Sequence, residues 1–134
     1  MDKVFDLIKE SGTFFYATVD ENGNPRVRPY GFWMKYKGKL YFGMGKHKPS
    51  FKQTIAHPQF EICAWIAEKG VWVRLAGTAV LDDSPETLEA VFADSPQLKG
   101  MYNDETGNTL GNFYITNATA TISSFAGEDE VITF

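Results

Sequence analysis

Two arginines and a tyrosine alternate in Arg26-Val27-Arg28-Pro29-Tyr30. In an extended chain successive side chains face opposite ways, so Arg26, Arg28 and Tyr30 share one face and Val27 takes the other. Neighbouring guanidiniums repel, and a phosphate, which accepts paired hydrogen bonds, resolves that repulsion. Pro29 cannot donate to a sheet ladder, which places this segment at an edge or a bulge. Backbone freed there can meet a ligand ring. Further along stands Gly43-Met44-Gly45-Lys46-His47-Lys48-Pro49-Ser50-Phe51-Lys52-Gln53. Its glycines let the main chain turn sharply and pass close to a ligand. Pro49 and Ser50 mark a helix start, whose free N–H groups and partial positive charge suit an anion. Lys46, Lys48, Ser50 and Lys52 add donors. In that helix Phe51 and Ile55 are expected to face the core, with Lys52, Gln53 and Ala56 on its flanks. The loop matches neither a Walker A loop nor GxGxxG. A third segment, Val71-Trp72-Val73-Arg74-Leu75, sets Trp72 and Arg74 on one face, a pair suited to stacking on a flat anionic ligand.

Charge patterning points the same way. The chain has 134 residues and a formal net charge of −4, which argues against a general nucleic-acid binder. Between Asn22 and Phe60 there is no Asp or Glu, and eight Lys or Arg side chains stand in that window. A segment of one sign costs self-repulsion unless an anion sits there. A solvated basic face, a lysine-rich surface turn and an ordinary barrel tryptophan are the plain alternatives for these three segments. The other candidates carry less. His47 and His57 have no acidic partner in their segment, so no metal pair is expected. His57 before Pro58 ends a helix, and His47 is placed to touch a phosphate. Cys63 reads as an inert thiol. No Ser-His-Asp arrangement, carboxylate dyad or metal-ligand spacing is present. One cysteine excludes an intrachain disulfide framework and a cysteine-rich zinc site, and the expected compartment is reducing and cytoplasmic. No apolar run approaches the roughly 18 residues of a membrane span, and Met1–Glu10 mixes charge into its apolar positions, unlike a signal peptide.

The elements that must position these residues are legible. Apolar residues make up 43% of the chain, a globular composition, and one domain over 1–134 is expected. Residues 2–10 read as a helix on a Val4, Phe5, Leu7, Ile8 stripe, stopped at Ser11-Gly12. Thr13 to Asp20 reads as a strand, Glu21-Asn22-Gly23-Asn24 as a hairpin turn, and Pro25 to Tyr36 as the second strand. Gly38 turns the chain into a third strand, Lys39 to Gly43, followed by a short helix over 49–57. Phe60–Ala67 and Val71–Leu81 are two more strands, joined around Lys69-Gly70. Ser84-Pro85-Glu86 opens a helix with Ser84 as its cap, and Ser95-Pro96 opens another. Asn103–Asn108 is a polar loop, and Phe113–Ser123 is the last long strand. The fold class is mainly β (α+β): a six-stranded antiparallel β-barrel with short flanking helices, closed to remove exposed edges.

Taken in order, these segments resemble the FMN-binding split-barrel family, the pyridoxamine 5′-phosphate oxidase-like proteins. The resemblance runs over nearly the whole chain: Asp20-Glu21-Asn22-Gly23 into Pro25-Arg26-Val27-Arg28-Pro29, then Leu40-Tyr41-Phe42 into the Gly45-Lys46-His47-Lys48-Pro49-Ser50 loop. It continues through a helix ending at His57-Pro58, Phe60-Glu61-Ile62, the Trp72–Ala79 strand and two Ser-Pro helix starts. It implies that the six-stranded antiparallel barrel is a split β-barrel, and that the protein is a homodimer with FMN at the subunit interface. It implies that Arg26, Arg28, Lys46, Lys48, Ser50 and Gln53, with Lys52, hold the phosphate. The ring lies along the Pro29–Phe32 backbone, Val27 and Tyr30 count among the cofactor-binding residues, and Trp72 and Arg74 reach in from the partner. Arg28 or Arg74 supplies positive charge near the flavin N1–C2 edge. The namesake oxidases carry a C-terminal segment with arginine and histidine, where this chain has the acidic Gly127–Phe134. The likeness is to the small nitroimidazole-resistance-like and uncharacterised members, and the namesake activity is not expected. The implied function is an FMN-dependent oxidoreductase passing electrons to a small-molecule acceptor, with the chemistry in the cofactor. The alternatives are a non-catalytic flavin or haem binder and a single-stranded nucleic-acid barrel, the latter on aromatics Phe32, Trp33, Tyr36, Tyr41 and Phe42 among the basic residues.

Overall fold

The computed structural model describes residues 1–134. Helix α1 (Asp2–Ser11) turns Val4, Leu7 and Ile8 inward and ends at Gly12, whose φ of 75° needs glycine. Strands β1 (Phe14–Val19) and β2 (Pro25–Tyr30) form an antiparallel hairpin in which Phe14 faces Tyr30 and Val19 faces Pro25. The Asp20 carboxylate fastens its turn by accepting from the Asn22 and Asn24 N–H groups, both at 2.9 Å. The second strand expected over Pro25–Tyr36 is broken. It leaves the sheet after Tyr30 and resumes as β3 (Met34–Tyr36), which pairs with β4 (Lys39–Gly45) instead of β1. Trp33 makes the break: its side chain is fully buried, and its indole N–H donates to the Phe5 carbonyl at 3.2 Å.

Helix α2 (Pro49–Ala56) follows, then β5 (Gln59–Ile66), a short 3-10 turn and β6 (Val71–Leu81). Helix α3 (Pro85–Asp94) is capped by Ser84, whose hydroxyl accepts from the Thr87 N–H. The helix expected at Ser95-Pro96 is a five-residue 3-10 turn, Pro96–Gly100. β7 (Leu110–Ser124) starts three residues earlier than expected, and β8 (Glu130–Thr133) was not expected at all. The count is therefore eight strands, in the order β2-β1-β5-β6-β7-β4-β3 with β8 on β7. β7 divides the barrel. One edge pairs with β6 along most of its length, while the other pairs first with β4 and then with β8. β2 is the outer strand of this order, so the missing Pro29 N–H disturbs only an edge.

The main core lies inside the curved sheet, with aromatic residues at its centre. Phe42 is fully buried, its ring centroid 4.9 Å from Tyr16, 5.3 Å from Phe60 and 5.7 Å from Phe113. A second, smaller core of Met34, Tyr41, Val91, Leu98 and Leu110 lies under α3. No helix is long and apolar enough to cross a membrane.

Candidate functional site

Helix α2 sets the geometry of the site, and it is rotated from the expected orientation. Ile55 is 51% exposed, so the expectation that it faces the core is wrong; Phe51 packs on Phe113 at 5.7 Å. The buried positions are Ser50 and Thr54, one turn apart. Polar partners reward this rotation. Thr54 Oγ1 donates to the Ser50 carbonyl at 2.8 Å and shares a 2.6 Å hydrogen bond with the Tyr16 hydroxyl. The Tyr30 hydroxyl donates to Ser50 Oγ at 2.7 Å, which ties the edge strand β2 to the helix. Burial pushes both the Tyr16 and Tyr30 hydroxyls up from the usual phenol range.

The arginines of β2 separate. Arg28 folds inward: its guanidinium donates to Thr18 Oγ1 at 2.8 Å, to Gln53 Oε1 at 2.9 Å and to the Tyr16 carbonyl at 3.2 Å. Arg26 turns the other way, to the Asp20 carboxylate at 3.1 Å. The repulsion inferred from their spacing is thus relieved by acceptors of the chain itself.

Four of the eight cations in the acid-free window find carboxylates outside it: Arg26 on Asp20, Lys35 on Asp2, Lys37 on Glu86 and Lys46 on Asp83. Lys39 lies over the Tyr114 ring at 4.0 Å. Arg28, Lys48 and Lys52 are left without a carboxylate partner, and all three stand around the start of α2. Lys48 is the N-cap residue, and no side chain caps that terminus.

Two clefts meet at Pro49. The first, about 510 Å³, runs between the end of β2 and β4. Arg28, Lys48 and Ser50 give it polar lining, Pro29–Phe32 and Gly43–Gly45 line it from the two strands, and Leu98 and Tyr102 complete it. The second, about 580 Å³, holds Arg26, Lys52 and Gln53 beside Asp20 and Glu21. The residues expected to act together are therefore divided: Arg28, Lys48 and Ser50 in one cleft, Arg26, Lys52 and Gln53 in the other. Gln53 still bridges them through Arg28. Lys46 lies off both clefts on Asp83, and the exposed Val27 lines neither.

Trp72 and Arg74 lie on β6, away from both clefts in this chain. Trp72 packs on Phe125 at 5.0 Å and on Trp65 at 6.4 Å. The lining residues that sequence reasoning missed are Leu98 and Tyr102, which come from the Pro96–Gly100 turn and its exit. Their only signal was an apolar residue and a tyrosine beside a Ser-Pro start. Burial raises the Tyr102 hydroxyl, as it does Tyr30, so the cleft's two phenols keep their protons at neutral pH. His47 is exposed, and a β-carbon at Gly45 would lie 2.5 Å from its imidazole. No cluster of three or more His, Cys, Asp or Glu stands close enough to hold a metal ion.

An edge-strand cleft of this kind, on a split barrel, defines a class of protein. A family profile described as pyridoxamine 5′-phosphate oxidase matches residues 1–121, and the chain belongs to that family. Among solved structures it is similar to a NimC/NimA family protein from Clostridium acetobutylicum, at 39% identity and a TM-score of 0.90, over 100% of this chain and 92% of that one. It is also similar in fold to general stress protein 26 of Bacillus anthracis, at 13% identity and a TM-score of 0.73, over 99% of this chain and 97% of that one. A pyridoxamine 5′-phosphate oxidase-related, FMN binding protein from Nostoc punctiforme superposes at a TM-score of 0.68 with 14% identity, over 99% of this chain and 95% of that one. No curated protein matches the chain.

Proposed function

We propose that residues 1–134 form one FMN-binding domain, that two copies assemble around the cofactor, and that the assembly passes electrons to a small-molecule acceptor. The observation that carries this reading is what remains after charge pairing. Arg28 and Lys48 keep no carboxylate partner and converge on an uncapped helix start in a ligand-sized cleft. That start suits a phosphate, because donors and helix dipole add there. The rest of the lining, backbone together with Phe32, Met44, Leu98 and Tyr102, suits a flat ring.

Bound there, the flavin supplies the redox chemistry. The chain's own residues bind and orient it. Lys48 and Arg28 hold the phosphate, Gln53 and Thr18 hold the Arg28 guanidinium, and Ser50 with Tyr30 fixes the helix against β2. Lys52 and Arg26 in the neighbouring cleft extend the positive field. Leu98 and Phe32 keep water from the ring, Tyr102 remains a proton-bearing donor, and Tyr30 donates to Ser50. No side chain in the cleft is required as a general base.

The second copy is argued from an uncovered sheet face. Phe15, Val27 and Trp65 are 47%, 68% and 46% exposed, and they stand with Ala17, Pro29, Cys63, Trp72 and Arg74 on the outer side of β2, β1, β5 and β6. No helix lies over that face, and Pro29 joins it to the first cleft. Glu61 also stands on that face, with Arg74, and large apolar side chains left uncovered among a few polar ones mark an association surface. In the dimer, Trp72 and Arg74 of this face approach the cleft of the other copy.

The test is direct. Purified protein reconstituted with FMN is expected to show a flavin absorption band bleached by dithionite and to quench flavin fluorescence at one FMN per chain. A chain that leaves FMN free at micromolar concentration overturns the reading. Steady-state reduction of a quinone or nitroaromatic by NAD(P)H then separates an oxidoreductase from a flavin carrier.

A further inference from the structure

Asn112 stands on β7 opposite Gly43 of β4 and is 2% exposed. Its Oδ1 is the one buried side-chain polar atom with no hydrogen-bond partner. Leaving a buried acceptor unpaired costs stability, and folded proteins seldom do so without a compensating use. An apolar residue at 112 would remove that cost.

Gly43 explains why the carboxamide fits. Its φ is not in the left-handed region, so backbone conformation does not require a glycine there. Space does. A β-carbon at position 43 would lie 2.9 Å from Asn112 Oδ1 and 2.9 Å from the Gly111 carbonyl oxygen. Gly43 is also part of the cleft wall. The unpaired acceptor is thus held against Gly43, a residue of that wall. No hydrogen bond restrains the carboxamide, so it can turn about its Cβ–Cγ bond toward the cleft without losing one.

We propose that Asn112 is a ligand-binding residue, whose Oδ1, held against Gly43 without a protein partner, accepts a hydrogen bond from an N–H or O–H of the flavin bound in the cleft. The inference rests on FMN binding in this cleft. Two groups of the cofactor carry such a donor, the imide N–H of the ring and the ribityl hydroxyls. Both offer the same chemistry to a carboxamide oxygen.

The experiment is a fluorescence titration of the apoprotein with three probes: FMN, 3-methyl-FMN, which lacks the imide N–H, and lumiflavin, which lacks the ribityl chain. Asn112→Leu is compared with wild type, and Asn112→Ala serves if the leucine does not pack, with folding checked by circular dichroism and melting. The variant is expected to bind FMN about tenfold more weakly, the value of one net hydrogen bond. That deficit is expected to vanish against the probe lacking the donor: 3-methyl-FMN for the imide, lumiflavin for the ribityl hydroxyls. Wild-type affinity of the variant for all three, or an equal loss on all three, overturns the role of Asn112 while FMN binding stands. A wild-type chain that binds none of the three overturns FMN binding, and this inference with it.

Discussion

Arg26 and Arg28 differ by one turn of the strand repeat, yet the structure gives them unlike tasks. Arg26 is committed to the turn carboxylate Asp20 and is largely in water, whereas Arg28 is held by Thr18, Gln53 and the Tyr16 carbonyl. Exposed ion pairs contribute little, while donors fixed by neighbours keep their geometry for a ligand. Replacing Lys48 or Arg28 by alanine is therefore expected to weaken FMN binding by about 1.5–3 kcal/mol each, the range for charge-assisted bonds. Arg26→Ala is expected to change it far less. Equilibrium titration of the three variants checks the ranking, and equal losses for Arg26 and Arg28 would contradict it. The alternation of Arg26 and Arg28 was legible from period two. Their different partners were not, because Thr18 and Gln53 are brought to Arg28 only by β1 pairing and by the roll of α2.

The elements carry a second titratable cluster, around Asp82, which lines neither cleft. Asp82, between β6 and α3, accepts from Thr87 Oγ1 at 2.7 Å, from the Tyr41 hydroxyl at 2.9 Å and from the Ser84 N–H at 3.1 Å. Burial alone would raise its pKa, but the hydrogen bonds from Thr87, Ser84 and Tyr41 outweigh it and bring the carboxyl down to about 2. Burial and the bond to Asp82 push the Tyr41 hydroxyl up to about 12. A carboxyl lowered on folding stabilises the native state above its ordinary value of 3.8, and that contribution is lost as pH falls through about 2. Denaturant midpoints of wild type and Asp82→Asn, measured from neutral pH down to that range, are expected to converge on acidification. A gap that stays constant would show that Asp82 does not anchor α3 through its charge. Ser84 as cap and Pro85 at the first position were readable in sequence. Asp82's role was not, because Tyr41 joins it from a strand far away in the chain.

For the whole molecule the uncovered face matters most. A sheet that buries Ile62, Ala64, Val73 and Leu75 inward while presenting Trp65, Trp72 and Phe15 outward has two apolar sides, and the chain covers only one of them. Trp65→Glu, exposed and outside both clefts, is expected to shift sedimentation from dimer to monomer at micromolar concentration and to lower flavin retention at the same time. A variant that stays dimeric and keeps its flavin would place the subunit contact elsewhere.

The one-dimensional pattern determined α1, the β1–β2 hairpin with its Asn-Gly turn, the capped α3 and the edge position of β2, because caps, turn residues and period two act within a few residues. It also determined that positive charge gathers between Asn22 and Phe60. Only the tertiary structure decided which of those charges remain free, since the carboxylates that neutralise Lys35, Lys37 and Lys46 lie in α1, α3 and the segment between β6 and α3. It likewise decided that Ser50 and Thr54, not Ile55, face inward, and that Asn112 lies against Gly43. Those outcomes depend on contacts between segments far apart in the chain, which no local pattern records.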